Sequence, residues 1–300
     1  MFPVFLVPAV LAYLFLALAA LIDKILLKTT IVSPRAYAFF VGILSVGVLV
    51  LLPFGVVSVP TGRVILASLA SGVCGVYALW AFYSALKEHE ASRVVTAVGA
   101  LVPIFTLLLS IVILNEGLNA LQFIAFVLLV VGGAIISYRE NVKRAYTFEI
   151  LAHAARASAF FAVSFTLLRF VFIFEPFLNG FFWTRIGGIL GALTILAVPE
   201  NLKRIYWAAK KAPKRAPVVF VLNQGLGGAG AILQNYAIFL GSAALVGALQ
   251  GVQYAFLLVL IVFLSKRFPQ LKEQLGLREW SLKIFAIAVV GIGLYLISIS

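Results

Sequence analysis

"APVVFVLNQGLGGAGAILQNYAIFLGSAALVGALQGVQYAFLLVLIVFLS" (residues 216–265) runs for 50 residues without one Asp, Glu, Lys or Arg. Crossing the hydrocarbon core of a bilayer, roughly 30 Å thick, takes about 20 helical residues. The stretch is therefore long enough for two crossings, with Gly241-Ser242 as the hinge between them. The whole chain agrees with this local reading. Of its 300 residues 64% are hydrophobic and 11% charged, and the mean hydropathy is +1.15. Soluble globular chains are about half apolar and about a quarter charged, so the solvent for this chain is lipid.

Working outward, further charge-free runs of crossing length cover residues 4–22, 36–62, 64–86, 94–115 and 117–138. Two more, interrupted by single charges, cover about 148–172 and 177–198, and residues 284–300 make the last. Together with the opening stretch these predict an all-α membrane protein of ten helices. The N-terminal "MFPVFLVPAV" has no basic leader and no small-residue cleavage site, and is read as the first crossing. The single cysteine, Cys74, lies within a predicted span and offers no disulfide.

The net charge of +13 is a matter of distribution, not of nucleic-acid binding. With ten crossings the connections alternate sides, and 19 of the 23 Lys and Arg fall on one side against Arg63 on the other. Cytoplasmic loops carry the excess of Lys and Arg, so the basic side is assigned to the cytoplasm of a cell membrane and both termini to the outside. The run 203–215 in that basic side is also a candidate for docking anionic lipid.

The chain repeats itself. "LQFIAFVLLVVGGAIIS" (121–137) aligns without gaps to "LKIFAIAVVGIGLYLIS" (282–298), sharing Leu121/Leu282, Ala125/Ala286, Gly132/Gly293, Ile136/Ile297 and Ser137/Ser298. Residues 98–114 lie over 248–264, and Gly75 falls opposite Gly227. Helices three, four and five thus match eight, nine and ten, with a link near 138–147. The expected organisation is a first repeat over 1–142 and a second over 143–300. Five crossings is an odd number, so the second copy enters from the opposite face. Inverted repeats of this kind place a substrate site near the midplane, in a central cavity between the halves.

The segment "EASRVVTAVGALVPIFTLLLSIVILNEGLNALQFIAFVLLVVGGAIIS" (90–137) resembles the second part of an EamA domain of the drug/metabolite transporter superfamily. The likeness rests on small residues leading into helix four, Pro103 within it, Glu116 just past it, and a Gly-rich helix five. The second copy departs from this, with Gln253 where Pro103 would sit and "SKRFP" for the acidic turn. The resemblance implies alternating-access transport of a small polar metabolite such as an amino acid or organic anion, more often outward. It also implies a pathway among helices three, four, eight and nine, and cytoplasmic termini, against the charge count. Nucleotide-sugar or sugar-phosphate carriage and lipid flipping belong to the same fold and stay open. A non-transporting scaffold or a membrane-embedded lipid-modifying enzyme are the readings from other classes.

Several polar residues sit where lipid-soluble helices should not need them. In "FFWTRIGGIL" (181–190), Arg185 lies eight residues into its helix, about 12 Å from the nearer end at 1.5 Å per residue. An arginine at helix centre costs roughly 2.5–3.5 kcal/mol to insert, so something offsets it: a wet cavity holding an anionic group, or an interhelical tie. Asn223, Gly227, Gly230 and Gln234 form a stripe on helix eight, and Gly247, Gln250 and Tyr254 one on helix nine. Such stripes serve either close packing or a cavity lining; with Tyr77 and Trp80 on helix three they are read as cavity lining. Glu149, His153 and Arg156 share one face of helix six, open to proton coupling or to snorkelling into head groups. Arg169, near the other end of that helix, is expected to snorkel likewise. Asp23-Lys24 are candidates for coupling, Glu116 for a gate, and Pro103 for a flexure.

Enzyme motifs are absent. No phosphate-cradling loop precedes a Lys, and no His, Cys and carboxylate cluster has metal spacing along the chain. The expected partners are a small-molecule substrate and the bilayer, with protons or a counter-substrate open as the driving species. No cofactor, metal or nucleic acid is expected, and the protein is read as a monomer or homodimer.

Overall fold

The computed structural model describes residues 3–29, 33–89, 91–136, 144–211, 216–264 and 277–300. Among them every regular element is helical: α1 (Leu6–Thr29), α2 (Pro34–Ile43), α3 (Gly62–Glu88), α4 (Ala91–Leu109), α5 (Ala120–Ile136), α6 (Arg144–Phe174), α7 (Phe177–Leu196), α8 (Pro199–Lys211), α9 (Ala216–Leu240), α10 (Ala243–Ala248), α11 (Gln250–Leu264) and α12 (Leu277–Ser298). In lipid each backbone N–H and C=O must be satisfied within the segment, which is why apolar runs of this length become helices.

Ends are set by local chemistry. Ser33 caps α2, accepting from the Ala36 N–H at 3.4 Å, with Pro34 at the first helical position. The helix then tightens into a 3₁₀ stretch, Leu44–Phe54, that stops at Gly55 in the left-handed region (φ 66°). The predicted crossing 36–62 is therefore shorter than its apolar run, with no regular structure from 56 to 61. After α4 a π-helical turn, Ser110–Leu114, ends at Asn115 (φ 55°), and the Glu116 N–H returns to the Ser110 carbonyl at 3.1 Å.

Seven helical segments among the described residues are long and apolar enough to cross a membrane, and an eighth if the bent pair α7–α8 is one crossing. The expected ten differs from this for two reasons. Helix α5 has 17 residues and is short, and α9 carries Asn223, Gln224, Gln234 and Asn235 and lies outside that set. Helix α10 continues into α11, and the two count together over Ala243–Ile261.

The basic run near 203 is not a loop. Helix α8 turns 94° from α7, so it lies across the end of the bundle. Its Ile205 is buried among Ala36, Ala38, Val76 and Ile195, while Tyr206 and Trp207 are exposed and the Lys210 ammonium sits over both rings. Asn201 fixes the corner, donating to the Ile195 carbonyl at 3.0 Å and accepting from Arg35 at 2.7 Å. The expected interfacial segment 266–280 and the link 138–147 lie mostly outside the described residues, as does the boundary between 142 and 143.

Packing depends on missing side chains. A Cβ on Gly72 would stand 2.1 Å from the Thr184 carbonyl oxygen, and one on Gly187 2.5 Å from that of Leu69, so α3 and α7 cross nearly backbone to backbone. Helices α3 and α6 exchange hydrogen bonds: Ser71 Oγ donates to the Ser164 carbonyl (2.7 Å) and Ser164 Oγ to that of Ser71 (2.8 Å). Where α5 crosses α12, Gly132 meets the Ala286 carbonyl and Gly293 meets that of Ala125, both at 3.2 Å from the Cβ position. Helix α1 lies along α9, and α10 crosses α4 with Gly247 over Pro103. Gly72→Val should lower stability by about 1–3 kcal/mol through overpacking, whereas Gly225→Ala, with nothing within 4 Å of its Cβ position, should leave it within error. Thermal unfolding of the two variants in one detergent checks the pair.

Candidate functional site

The polar side chains sort into three levels along the bundle. At the end where α1 finishes and α2 begins, Asp23 accepts from Tyr37 Oη and from Asn223 Nδ2 (2.7 Å), while Gln224 Nε2 donates to Tyr37 Oη at 3.3 Å. Tyr37 is buried between the rings of Tyr83 (4.5 Å) and Phe220 (5.1 Å). Asp23 therefore ties α1 and α2 to α9. Tyr37 was not singled out by its sequence context, since one tyrosine in an apolar helix carries no signal of its partner. The side chain of Lys24 lies outside the described residues.

A second group lies deeper on α1. Tyr13 is fully buried, donating to the Val246 carbonyl of α10 at 2.5 Å and accepting from Gln234 of α9 at 3.2 Å. The stripe on α9 thus faces α1 along its length: Asn223 to Asp23, Gly227 to Ala19, Gly230 to Ala12 and Leu16, Gln234 to Tyr13. Of the two readings open for it, this contact set is close packing. Tyr254 on α11 is buried with its ring against Gly133 and its hydroxyl end at Gly99, and Gln250 is half-buried at the start of the same helix.

Arg185 stands on another face. Phe177, Phe181 and Arg185 recur every four residues on α7; Phe177 meets Tyr236 (5.1 Å) and Phe239 (5.8 Å) of α9. Two turns deeper than Phe177 the Arg185 guanidinium lies 4.8 Å from the Phe181 ring centre. Its Nε is buried without a hydrogen-bond partner, and no carboxylate among the described residues pairs with it. Helices α7 and α9 run antiparallel, since Phe177 lies near Phe239 at one end while α8 and Phe220 both approach α2 at the other. Eight residues is about 12 Å, so the level of Arg185 on α9 is that of Gly228. A Cβ on Gly228 or Gly225 would meet nothing within 4 Å.

Arg169 gives the contrast. Its Nε donates to both oxygens of Glu116 (3.0 and 3.3 Å), its Nη2 lies 2.9 Å from Oε1, and its Nη1 donates to the carbonyls of Ile238 and Phe239 at the end of α9. Arg169 does not snorkel into head groups as its position in the chain led one to expect; it is an interhelical tie. Near it, Asn179 bonds Ser58 and Glu175, and Trp183 Nε1 donates to the Ser58 carbonyl at 2.9 Å.

The remaining candidates are dispersed. Tyr77 bonds Thr194 on α7 at 3.1 Å and lies 5.6 Å from Trp80, over which Arg35 sits at 5.2 Å. Glu149, His153 and Arg156 lie along α6; His153 binds the Glu149 backbone carbonyl and turns its other nitrogen to Glu88, and Arg156 is exposed.

Residues 3–138 match the model of the EamA-like transporter family. The segment 90–137, on which the resemblance was drawn, falls within the matched residues. No curated protein matches the chain. Among solved structures, one crystal structure of a protein is similar over 99% of this chain and 96% of its own, at 17% identity and a TM-score of 0.64, which shows a shared fold.

Double-mutant analysis of Arg169→Met and Glu116→Gln should return a coupling of about 0.5–3 kcal/mol in unfolding free energy, because the pair is largely shielded from water. Additive single effects would show the tie to be idle.

Proposed function

We propose that this protein is a secondary transporter of a small anionic metabolite, working by alternating access between two inverted five-helix halves. The observation that carries the reading is Arg185: a guanidinium within α7, set over the Phe181 ring, with its Nε buried and unbonded and without a carboxylate partner among the described residues. An uncompensated cation at that depth is costly, and a carboxylate or phosphate of a bound solute offsets the cost with bidentate hydrogen bonds.

The inverted organisation has support in packing. Gly132 against Ala286 and Gly293 against Ala125 exchange under the alignment of 121–137 with 282–298, and the order reverses along the two helices. Such an exchange is what a two-fold axis perpendicular to both helices would give, and it supports the inverted reading. Gly75 packs against Ser164 of α6, and its aligned counterpart Gly227 against Ala19 of α1.

Conformational asymmetry fits alternation. Under the repeat, the α3–α7 contact corresponds to α9–α2. The first is closed backbone to backbone at Gly72 and Gly187. The second is made by Tyr37, Phe40, Phe220 and Gln224, with Gly225 and Gly228 left open beyond them. Exchange of the two arrangements would carry the Arg185 level from one face to the other. Asp23, held by hydrogen bonds that span the halves, is placed to sense that exchange, and Pro103 lies at the α4–α10 crossing where the halves turn.

In proteoliposomes, Arg185→Ala should cut flux of the anionic substrate at least tenfold while leaving folding and insertion intact, with Arg185→Lys partly active. A thermal-shift screen of the wild type against amino acids, dicarboxylates and phosphorylated sugars supplies the substrate. Wild-type flux in Arg185→Ala would sink the reading.

A further inference from the structure

Where α3 ends against α6, three ligand-type side chains meet that stand 64 residues apart in the chain. Glu88 is the last residue of α3, His89 its buried C-cap, and His153 projects from α6. The imidazole rings of His89 and His153 lie edge to face with centres 5.2 Å apart, and His153 Nε2 is 3.2 Å from Glu88 Oε2. One ligand atom from each of the three lies within 4.8 Å of the other two.

Hydrogen bonding decides what belongs between them. A backbone carbonyl only accepts, so at 3.0 Å from the Glu149 carbonyl oxygen His153 Nδ1 carries the proton. That fixes the tautomer and leaves Nε2 as a lone pair facing a carboxylate oxygen. Two acceptors at that distance require a cation, either a proton on Nε2 or a metal ion. A second imidazole beside the pair favours the metal, since it adds another nitrogen ligand. Two ligands bound at about 2.0–2.1 Å to a tetrahedral ion stand about 3.3 Å apart, close to the separation of Nε2 from Oε2. A carbonyl orienting the second nitrogen of a ligating histidine is the usual outer partner of such a site.

We propose that Glu88, His89 and His153 bind a divalent transition-metal ion of the zinc class, clamping the end of α3 to α6. Two imidazoles and one carboxylate suit zinc, cobalt or nickel and not magnesium, which selects oxygen donors. The half-exposed Glu88 leaves a fourth position to water. The site is separate from the Arg185 level and does not rest on the transport reading. Its place is at a contact between the two proposed halves, so loading would hold α3 and α6 together.

Untagged full-length protein in nanodiscs, titrated with zinc by calorimetry and with cobalt by visible absorption, tests this. The expected result is one saturable zinc per chain, unaffected by millimolar magnesium, with cobalt showing the intense band of a four-coordinate nitrogen and oxygen site. His153→Gln and His89→Ala should each weaken binding roughly tenfold or more, and Cys74→Ser should leave it unchanged. Should His89→Ala fail to fold, His153→Gln and Glu88→Gln carry the comparison. Absence of zinc binding by the wild type, or undiminished binding in the histidine variants, would overturn the proposal and leave a protonated His153–Glu88 pair.

Discussion

Lipid tails are as apolar as the side chains that face them, so helices in a bilayer gain nothing from hiding leucine against leucine. What holds this bundle is the approach of one backbone to another, and that approach exists only where side chains are missing. At the α3–α7 crossing Gly72, Gly187 and Gly191 remove the obstacles; at the α5–α12 crossing Gly132 and Gly293 do the same from opposite sides. Dispersion and weak backbone contacts then act over many atoms at short range. The remaining polar groups, such as Ser71 with Ser164 and Tyr13 with Val246, fix register where glycine permits contact.

The same rule makes the exceptions informative. Glycine that touches nothing brings only conformational freedom and space. Gly225 and Gly228 sit on α9 between residues that pack well against α1, yet their own side is open. The packed glycines and the open ones thus fall on different faces of one helix. The first face binds α9 to α1; the second meets no neighbouring side chain. A transporter needs both properties in its moving parts, rigid attachment on one side and room on the other.

Much of this was legible in the amino-acid sequence. Apolar runs located the helices closely where charges bound them, as at Phe177–Leu196, because lipid leaves the backbone no other solution. The residues aligned as repeat equivalents, Ala125 with Ala286 and Gly132 with Gly293, meet crosswise in space, Gly132 at Ala286 and Gly293 at Ala125. Three things could not be read there. Apolar content overstated the second crossing, since residues 56–61 are greasy without being helical. The stripe on α9 has the same composition whether it lines a cavity or packs on α1, and only the position of Ala12, Ala19 and Tyr13 decides it. Tertiary partners such as Glu116 with Arg169, or Glu88 with His153, are separated along the chain by distances that no local period records.

Arg169 of α6 and Arg185 of α7 show how structure separates meanings that sequence leaves together. Each was a cation in an apolar helix, subject to the same insertion cost. Arg169 recovers that cost inside the protein: a carboxylate takes its charge, and two carbonyls at the end of α9 take further N–H groups where the helix dipole is negative. Its job is complete without a ligand. Arg185 has an aromatic face and no acid, and the cation–π contact of about 0.5–2 kcal/mol recovers only part of the roughly 2.5–3.5 kcal/mol of insertion. The difference is what the proposed anionic solute would meet: on that reading, the free energy withheld in the empty state is released when the solute arrives.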